Sequence, residues 1–380
     1  MAHTDPLPKA LLALDQALFE EVRGINILDA IAPENYHQEK AAFFESNYSI
    51  SPDFAYGEHS IDLFARKRAL YNLPVESLPD DDLIQLYSDV IESYVEKLDQ
   101  FRAIGTDEFV YESLRYFGEP NEKDIRNAQF VLHFPDDLAP LDDRDMGTDE
   151  IVNHLTSFAD ARGYQYDIRL DEKMIANILV SGSTIKVNAN ARIAETEVHA
   201  LAHHEVGGHL VTTLNSRNQP VKVLSLGSPV STTTQEGIAI LCEYLAGYLT
   251  LPRLKVLALR VIAVQSMLIE RDFKRTFLLL KEQHDVDDST AFTITSRVYR
   301  GGGYTKDYLY LQGFHQMLNA YETSEHFNLL LSGKVSLNHL PLIQRLINKG
   351  YLLPPKYISP AIATPQPVDE VKRLLAHAIK

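Results

Sequence analysis

The sequence contains very little cysteine, since Cys242 is the single one among 380 residues. One cysteine excludes an internal disulfide framework, and it also excludes the usual zinc sites built from several cysteines. A metal bound by this chain would therefore be held by histidine and carboxylate side chains. Candidate metal ligands are therefore found among the 14 histidines and the 52 Asp and Glu residues.

Basic residues are also in short supply. The 36 Lys and Arg stand against 52 Asp and Glu, which gives a net charge of −16. Nucleic acid and anionic lipid both attract basic surfaces, so this balance argues against both partners. The deficit lies in residues 1–190, which carry 36 acidic and 16 basic residues, whereas residues 191–380 carry 16 acidic and 20 basic residues.

Long apolar runs are missing as well. The most apolar helical stretch, residues 254–269, is interrupted by Lys255, Arg260 and Gln265, and it is shorter than the roughly 20 apolar residues that cross a bilayer. The first ten residues show no basic segment followed by an apolar one, so no secretory signal is expected. These absences predict a cytoplasmic protein that acts away from membranes.

The hydrophobic pattern predicts an α+β fold that is mostly helical. Residues 79–101 include three aspartates that suit a helix N-terminus, followed by apolar residues three to four apart. Strand character follows at residues 130–134, 164–170 and 178–187, with a turn signal at residues 181–183. An acidic linker is expected over residues 135–149. Further helices are predicted over residues 193–214, 235–249, 254–283, 292–300, 308–318 and 340–349.

One predicted helix carries the sequence HHEVGGH at residues 203–209. In the zinc-peptidase pattern His-Glu-x-x-His, two histidines four residues apart share one helix face and the Glu acts as the base. Here His204 and His209 are five residues apart, so on a regular helix they would point about 140° away from each other. A π-bulge would return them to one face, and Gly207 and Gly208 make that distortion cheap. We predict such a bulge, with His204 and His209 as metal ligands and Glu205 as general base.

A rival pair of histidines lies in the same helix. His199 and His203 are four residues apart and need no bulge to share a face. No Glu follows His199 directly, so this pair has no adjacent base. It stays an alternative metal site without an evident catalytic role.

The third metal ligand is expected at Glu236, which follows three threonines that can cap the start of a helix. Two histidines and one Glu leave a fourth zinc position open for water, as in thermolysin-type sites. Glu243, seven residues further on, lies on the same helix face and could hold His204 or His209 from behind. Taken alone, each Glu could instead be a helix-start or surface carboxylate.

A third group of residues suggests an anion pocket. Arg297 and Arg300 precede three consecutive glycines, residues 301–303, which are followed by Lys306. Glycines let backbone approach a ligand closely, and the surrounding cations suit a substrate carboxylate. A nearby tyrosine could donate a hydrogen bond to a tetrahedral oxyanion; the candidates are Tyr304, Tyr308 and Tyr310.

The stretches HEVGGH, TQEGIA and RGGGYTKDYLYLQG together resemble one family. It comprises bacterial proteins named for a QEGLA motif, also labelled flavohaemoglobin-expression modulators, which are relatives of the microtubule-associated tyrosine carboxypeptidases. The resemblance implies a gluzincin-like metallopeptidase core, with a small sheet before the HExxxH helix and one zinc ion per chain. It assigns zinc to His204, His209 and Glu236 and catalysis to Glu205. It also implies removal of a C-terminal residue, Tyr or another aromatic or apolar one, although QEGIA replaces QEGLA here.

Three regions of one compact unit are expected: an N-terminal helical region (1–118), the metallopeptidase region (119–360) and a C-terminal tail or helix (361–380). The expected substrate is the C-terminus of a peptide or protein. One alternative is an aminopeptidase or dipeptidyl-peptidase of the HExxxH type, for which cations at residues 297–306 would be unsuitable. The other is a metal-binding regulatory protein without catalysis.

Overall fold

The computed structural model describes residues 6–58, 61–135, 144–172, 174, 176–227 and 231–380. Over these ranges the protein is mostly helical with small sheets, which confirms the predicted α+β class. None of the helices found there is long and apolar enough to cross a membrane. The gluzincin-like core stays a prediction.

The N-terminal part is helical, as predicted. Its longest helix, predicted over residues 79–101, spans Asp81–Ala103 and begins where the Asp80 side chain accepts a hydrogen bond from the Asp82 N–H. The helices of this part are Lys9–Val22 (α1), Ile27–Ala30 (α2), Tyr36–Glu45 (α3), Leu63–Tyr71 (α4), Asp81–Ala103 (α5), Phe109–Phe117 (α6) and Glu122–Leu132 (α7).

The prediction of a strand over residues 130–134 is wrong, because most of these residues belong to α7 or its end. Asn121 and Asp124 form a capping box that starts the helix upstream. Ala128 and Val131 are fully buried three residues apart, whereas Phe130 is 38% exposed, so the burial follows a helical period. Residues 136–143 of the predicted linker lie outside the described residues.

The strands form two small sheets. Asp145–Gly147 (β1) pairs antiparallel with Arg192–Ala194 (β5). Asp167–Asp171 (β2), Ile178–Ser181 (β3) and Thr184–Asn188 (β4) form a sheet in the order β2-β4-β3, parallel on one side and antiparallel on the other. The predicted turn is the β3–β4 hairpin, where Gly182 has a φ of +61°. Strand β3 therefore lies at an edge.

The remaining helices follow the predicted order, except that residues 254–283 are not continuous. The chain turns at Arg271 with a φ of 52°, and Asp272 caps a new helix. The helices are Thr148–Asp160 (α8), Glu195–Leu201 (α9), Val211–Arg217 (α10), Val223–Leu226 (α11), Ser231–Leu245 (α12), Leu251–Glu270 (α13), Phe273–Leu278 (α14), Asp288–Tyr299 (α15), Leu309–Thr323 (α16), Leu340–Asn348 (α17), Pro360–Ala363 (α18) and Glu370–Ala378 (α19). Between α9 and α10 the chain forms a π-helix, Ala202–Leu210, called the π segment below.

Two hydrophobic cores meet at the π segment. The larger core joins the N-terminal helices to α12, α13, α15 and α16. The smaller one packs the strands and α8 against the π segment through Val206 and Leu210. Side chains from all three predicted regions enter the larger core, and the boundaries at 118 and 360 stay predictions.

Helices α12 and α16 touch backbone to backbone. A Cβ atom added to Gly237 would lie 2.3 Å from the carbonyl oxygen of Gly313, and one added to Gly313 would lie 2.3 Å from that of Thr233. No side chain fits at either position without moving a helix. The glycine of the QEG motif therefore sets how closely α12, with Glu236, approaches its neighbour.

We expect Gly237→Ala to destabilise the protein by about 1–3 kcal/mol, because the added methyl group pushes α12 away from α16. Chemical denaturation of wild type and variant would measure the loss. Gly147→Ala is the matched control, since a Cβ atom there meets nothing within 4 Å. Equal stability of Gly237→Ala and wild type would show that α12 and α16 can move apart by this amount without a loss of stability.

Candidate active site

The π segment brings the two candidate histidines together. The ring centroids of His204 and His209 are 5.1 Å apart and the rings are nearly perpendicular. The predicted helix widening is thus confirmed. Its glycines also allow close packing: a Cβ on Gly208 would lie 3.2 Å from the Ala239 Cα. The small residues therefore serve both the widened turn and the contact with α12.

Glu236 faces both imidazoles. Its Oε2 atom lies 3.5 Å from His209 Nε2 and 3.8 Å from His204 Nε2. Zinc bonds of about 2.0–2.1 Å place neighbouring atoms of a tetrahedral site about 3.3 Å apart. Two imidazole nitrogens and one carboxylate oxygen at these separations fit a zinc ion in both chemistry and spacing.

Glu205 is a second carboxylate close to the two imidazoles. Candidate ligand atoms of His204, Glu205 and His209 all lie within 4.8 Å of one another, so Glu205 could also reach a metal there. Its Oε2 atom, however, accepts a hydrogen bond of 2.8 Å from the backbone N–H of Val180 on β3. The distances from Glu236 Oε2 to the two Nε2 atoms favour Glu236 over Glu205 as the third ligand.

A buried carboxylate fixes His204 from behind. Glu243 is fully buried, and its Oε1 atom lies 2.7 Å from His204 Nδ1. Arg253 on α13 clamps both oxygens of Glu243, at 3.1 and 3.3 Å. Burial would raise the pKa of Glu243, but Arg253 and His204 outweigh it and lower the pKa to about 2. The ionised Glu243 thus accepts the Nδ1–H of His204 and leaves Nε2 free for a metal.

We expect Glu243→Gln to weaken zinc binding about 10- to 100-fold, because a neutral amide holds the Nδ1–H of His204 less firmly than the carboxylate does. Chelator competition would measure the affinity. Arg253→Met should lower it in the same direction without touching the histidine. An affinity within twofold of wild type for both variants would contradict a role for this pair.

Lys306 lies at the opposite side of Glu236. Its Nζ atom donates to Glu236 Oε1 at 2.8 Å and to the Tyr310 hydroxyl at 3.0 Å. Burial would raise the pKa of Glu236, but Lys306 and His209 outweigh it and hold the pKa well below its ordinary value. Lys306 was expected to bind a substrate carboxylate, but the structure commits it to Glu236.

Arg297 is also committed to a carboxylate within the chain. Its Nε and Nη2 atoms lie 2.5 and 3.0 Å from the two oxygens of Asp307, which is fully buried. Burial would raise the pKa of Asp307, but Arg297 and Arg260 hold it well below its usual range. A substrate carboxylate would therefore have to compete with Asp307 for Arg297.

Two other arginines keep unused hydrogen-bonding capacity. Among the described residues, Nε of Arg300 and Nε of Arg260 are buried without a hydrogen-bond partner. Arg300 lies 4.9 Å over the ring of Tyr304, and Arg260 lies 5.0 Å over the ring of Tyr310. Burial and the nearby Arg297 lower the pKa of Arg260 to about 10 and also lower that of Arg300. Both guanidinium groups would gain from an anion.

The sequence did contain a signal for Arg260. It interrupts the most apolar helix and lies seven residues after Arg253, on the same helix face. A charged residue in such a stretch is expected to have a buried partner or a ligand. The sequence alone does not predict a site role for Arg253 or Arg260, because nothing in it shows that α13 packs beside Glu243.

The three candidate tyrosines have different surroundings. Tyr308 donates its hydroxyl to the carbonyl oxygen of Phe117 at 2.6 Å, so its proton is already used. Tyr304 is 1% exposed and packs edge-on against Phe117. Tyr310 is the one whose hydroxyl accepts from Lys306, beside Glu236. Tyr310 is therefore the best placed of the three to donate a hydrogen bond to an oxyanion that forms beside the metal ligands.

The three glycines serve packing, contrary to the expectation that they approach a ligand. Their φ angles are 73°, 111° and 126° at residues 301–303. A Cβ on Gly301 would lie 2.6 Å from the Phe109 ring, and one on Gly302 would lie 2.3 Å from the Thr106 carbonyl oxygen. The loop is pressed onto the start of α6, which fixes the position of Arg300. A cavity of about 450 Å³ beside Tyr56 lies near this loop and is lined by none of the metal-ligand candidates.

The rival pair is placed differently. The His199 ring stacks on Tyr248 with centroids 4.8 Å apart, and the His203 ring packs against Phe158 at 4.9 Å. Burial and the nearby Arg162 lower the pKa of His203 to about 4. In the part of the chain that the structure describes, the converging group of ligand atoms includes neither His199 nor His203.

Comparison with protein families places the chain among enzymes of the carboxypeptidase type. It belongs to the microtubule-associated tyrosine carboxypeptidase family, whose model matches residues 41–379, nearly the whole chain. The resemblance read from the three motifs is thereby confirmed. No individual curated protein matches the sequence significantly.

Proposed function

We propose that the protein is a zinc carboxypeptidase that removes one residue from the C-terminus of a peptide or protein. The observation that carries the proposal is the convergence of His204, His209 and Glu236 beside the buried carboxylate of Glu205. One zinc ion per chain would be held by two Nε2 atoms and Glu236 Oε2. When bound, it would lower the pKa of a water molecule and withdraw electrons from the scissile carbonyl.

The chain's own residues perform the proton transfers. Glu205 accepts one proton from the attacking water as the oxygen–carbon bond forms, and it delivers that proton to the leaving amine as the carbon–nitrogen bond breaks. The hydrogen bond from Val180 holds one oxygen of Glu205 in place during both transfers. Tyr310 donates to the oxyanion, because its own oxygen already accepts from Lys306.

The end of the substrate is recognised by charge. Among the described residues, Arg260 and Arg300 are the arginines whose Nε atom is buried without a hydrogen-bond partner, and both lie near Asp307 and Tyr310. We infer that they bind the terminal carboxylate, whereas Arg297 and Lys306 support the pocket through their own carboxylate partners. The family's description makes tyrosine the first candidate for the released residue.

A peptidase acting at the N-terminus is the second candidate. A free amine would be repelled by two guanidinium groups, so the pocket disfavours it. A non-catalytic metal protein would have no need for a buried base beside its ligands.

A peptide library incubated with zinc-loaded protein and read by mass spectrometry tests the proposal. Release of single residues is expected from peptides with a blocked N-terminus, and none is expected from peptides with a C-terminal amide. The reverse pattern would assign the protein to the aminopeptidases. Intact peptides throughout would support a non-catalytic metal protein.

A further inference from the structure

Lys306 and a metal ion would share one carboxylate. The lysine Nζ atom lies 2.8 Å from Glu236 Oε1, while Oε2 of the same residue faces His204 and His209. The lysine is 5% exposed, so water screens its charge only weakly. A positive charge is therefore already present at the ligand carboxylate when no metal is bound.

The alternative role of Lys306, binding the substrate, does not fit its contacts. Two of its three N–H donors go to Glu236 and Tyr310. Only 7% of its side chain is exposed. The ammonium group thus points toward the ligand set, and a substrate carboxylate would have to compete with Glu236 for it.

An unpaired carboxylate at this depth would be costly. The Glu236 side chain is 13% exposed, and breaking a buried ion pair by removing one partner typically destabilises a protein strongly. With Lys306 present, the metal-free protein holds Glu236 in an ion pair, with Oε2 facing the two imidazoles. With a neutral side chain instead, the carboxylate would keep only its contacts with the two histidines until a metal arrived.

We propose that Lys306 stands in for the metal in the metal-free chain, so that the ligand set is formed before the metal arrives and zinc binds less tightly than these ligands alone would allow. The inference rests on the metal site of the proposed function and not on peptide hydrolysis. Two effects act in the same direction. Lys306 stabilises the metal-free state, and it repels the incoming cation.

Zinc affinity and metal-free stability of Lys306→Met test the inference. Chelator competition with zinc alone is expected to show about 100-fold tighter binding for the variant. Metal-free Lys306→Met should melt at a lower temperature than metal-free wild type, and zinc should raise its melting temperature by more. Lys306→Arg, which keeps the charge, is the matched control and should bind zinc nearly as wild type does.

Equal or weaker zinc binding by Lys306→Met would overturn the inference, as would a metal-free variant as stable as wild type. If metal-free Lys306→Met does not fold, Lys306→Gln replaces it, since glutamine can still donate to Glu236 but carries no charge. Tighter zinc binding is again expected. A wild-type protein that binds no zinc would overturn the proposed function together with this inference, whereas equal affinities overturn the inference alone.

Discussion

Glu205→Gln should lower kcat about 10²- to 10⁴-fold while the protein still binds one zinc ion. The substitution keeps the shape of the side chain, and its amide oxygen can still accept the hydrogen bond from the Val180 N–H. It removes only the ability to take a proton from water and pass it to the leaving amine. Steady-state kinetics on a cleavable peptide and metal analysis of the same sample would measure both properties.

Glu195→Gln is the control for this experiment. Glu195 is a partly exposed carboxylate at the start of α9, where it pairs with Arg144 at 3.0 Å. Full activity is expected from this variant. Should Glu205→Gln hydrolyse peptides as fast as wild type, Glu205 would not be the base and the mechanism would have to use another group.

Arg260→Met and Arg300→Met should each lower kcat/KM about 10²-fold on peptides with a free C-terminus, mainly by raising KM. Each variant removes a charge-assisted contact to the terminal carboxylate, and such contacts are worth roughly 2–5 kcal/mol when buried. Methionine preserves most of the side-chain volume and its contact with the tyrosine ring beneath. The kinetic constants of both variants on one peptide would measure the effect.

Arg102→Met is the control, because Arg102 is a largely exposed arginine paired weakly with Glu108 at 3.9 Å. Its kinetics should match those of wild type. If Arg260→Met and Arg300→Met cleave peptides with a free C-terminus as well as wild type does, the two arginines do not bind the terminal carboxylate. The two arginines would then need another anion as their ligand.

Residues close together in the chain were the most predictable part of the site. The five-residue spacing of His204 and His209 required a widened helix, and the structure contains one. Helix α5 followed from its aspartates and its apolar period. Such features depend on local geometry, which the order of the residues determines directly.

Residues that meet across elements were harder to predict. Val180 reaches Glu205 from an edge strand, and Arg253 reaches Glu243 from another helix. Neither contact has a fixed spacing in the sequence. The pairing of Arg297 with Asp307 also depends on how the glycine loop folds back, so a residue expected to be free was found paired. Charge alone showed that anions would matter here, but not which cations were available.

The π segment has a consequence for the length of the chain. A widened turn absorbs one extra residue, so the helices before and after it keep the directions that a shorter, regular helix would give them. Deleting one residue between Glu205 and His209 would convert the spacing to His-Glu-x-x-His and bring both histidines to one face of an ordinary helix. The same ligand set could thus be reached by two chains that differ in length by one residue, and the widened turn is needed in only one of them.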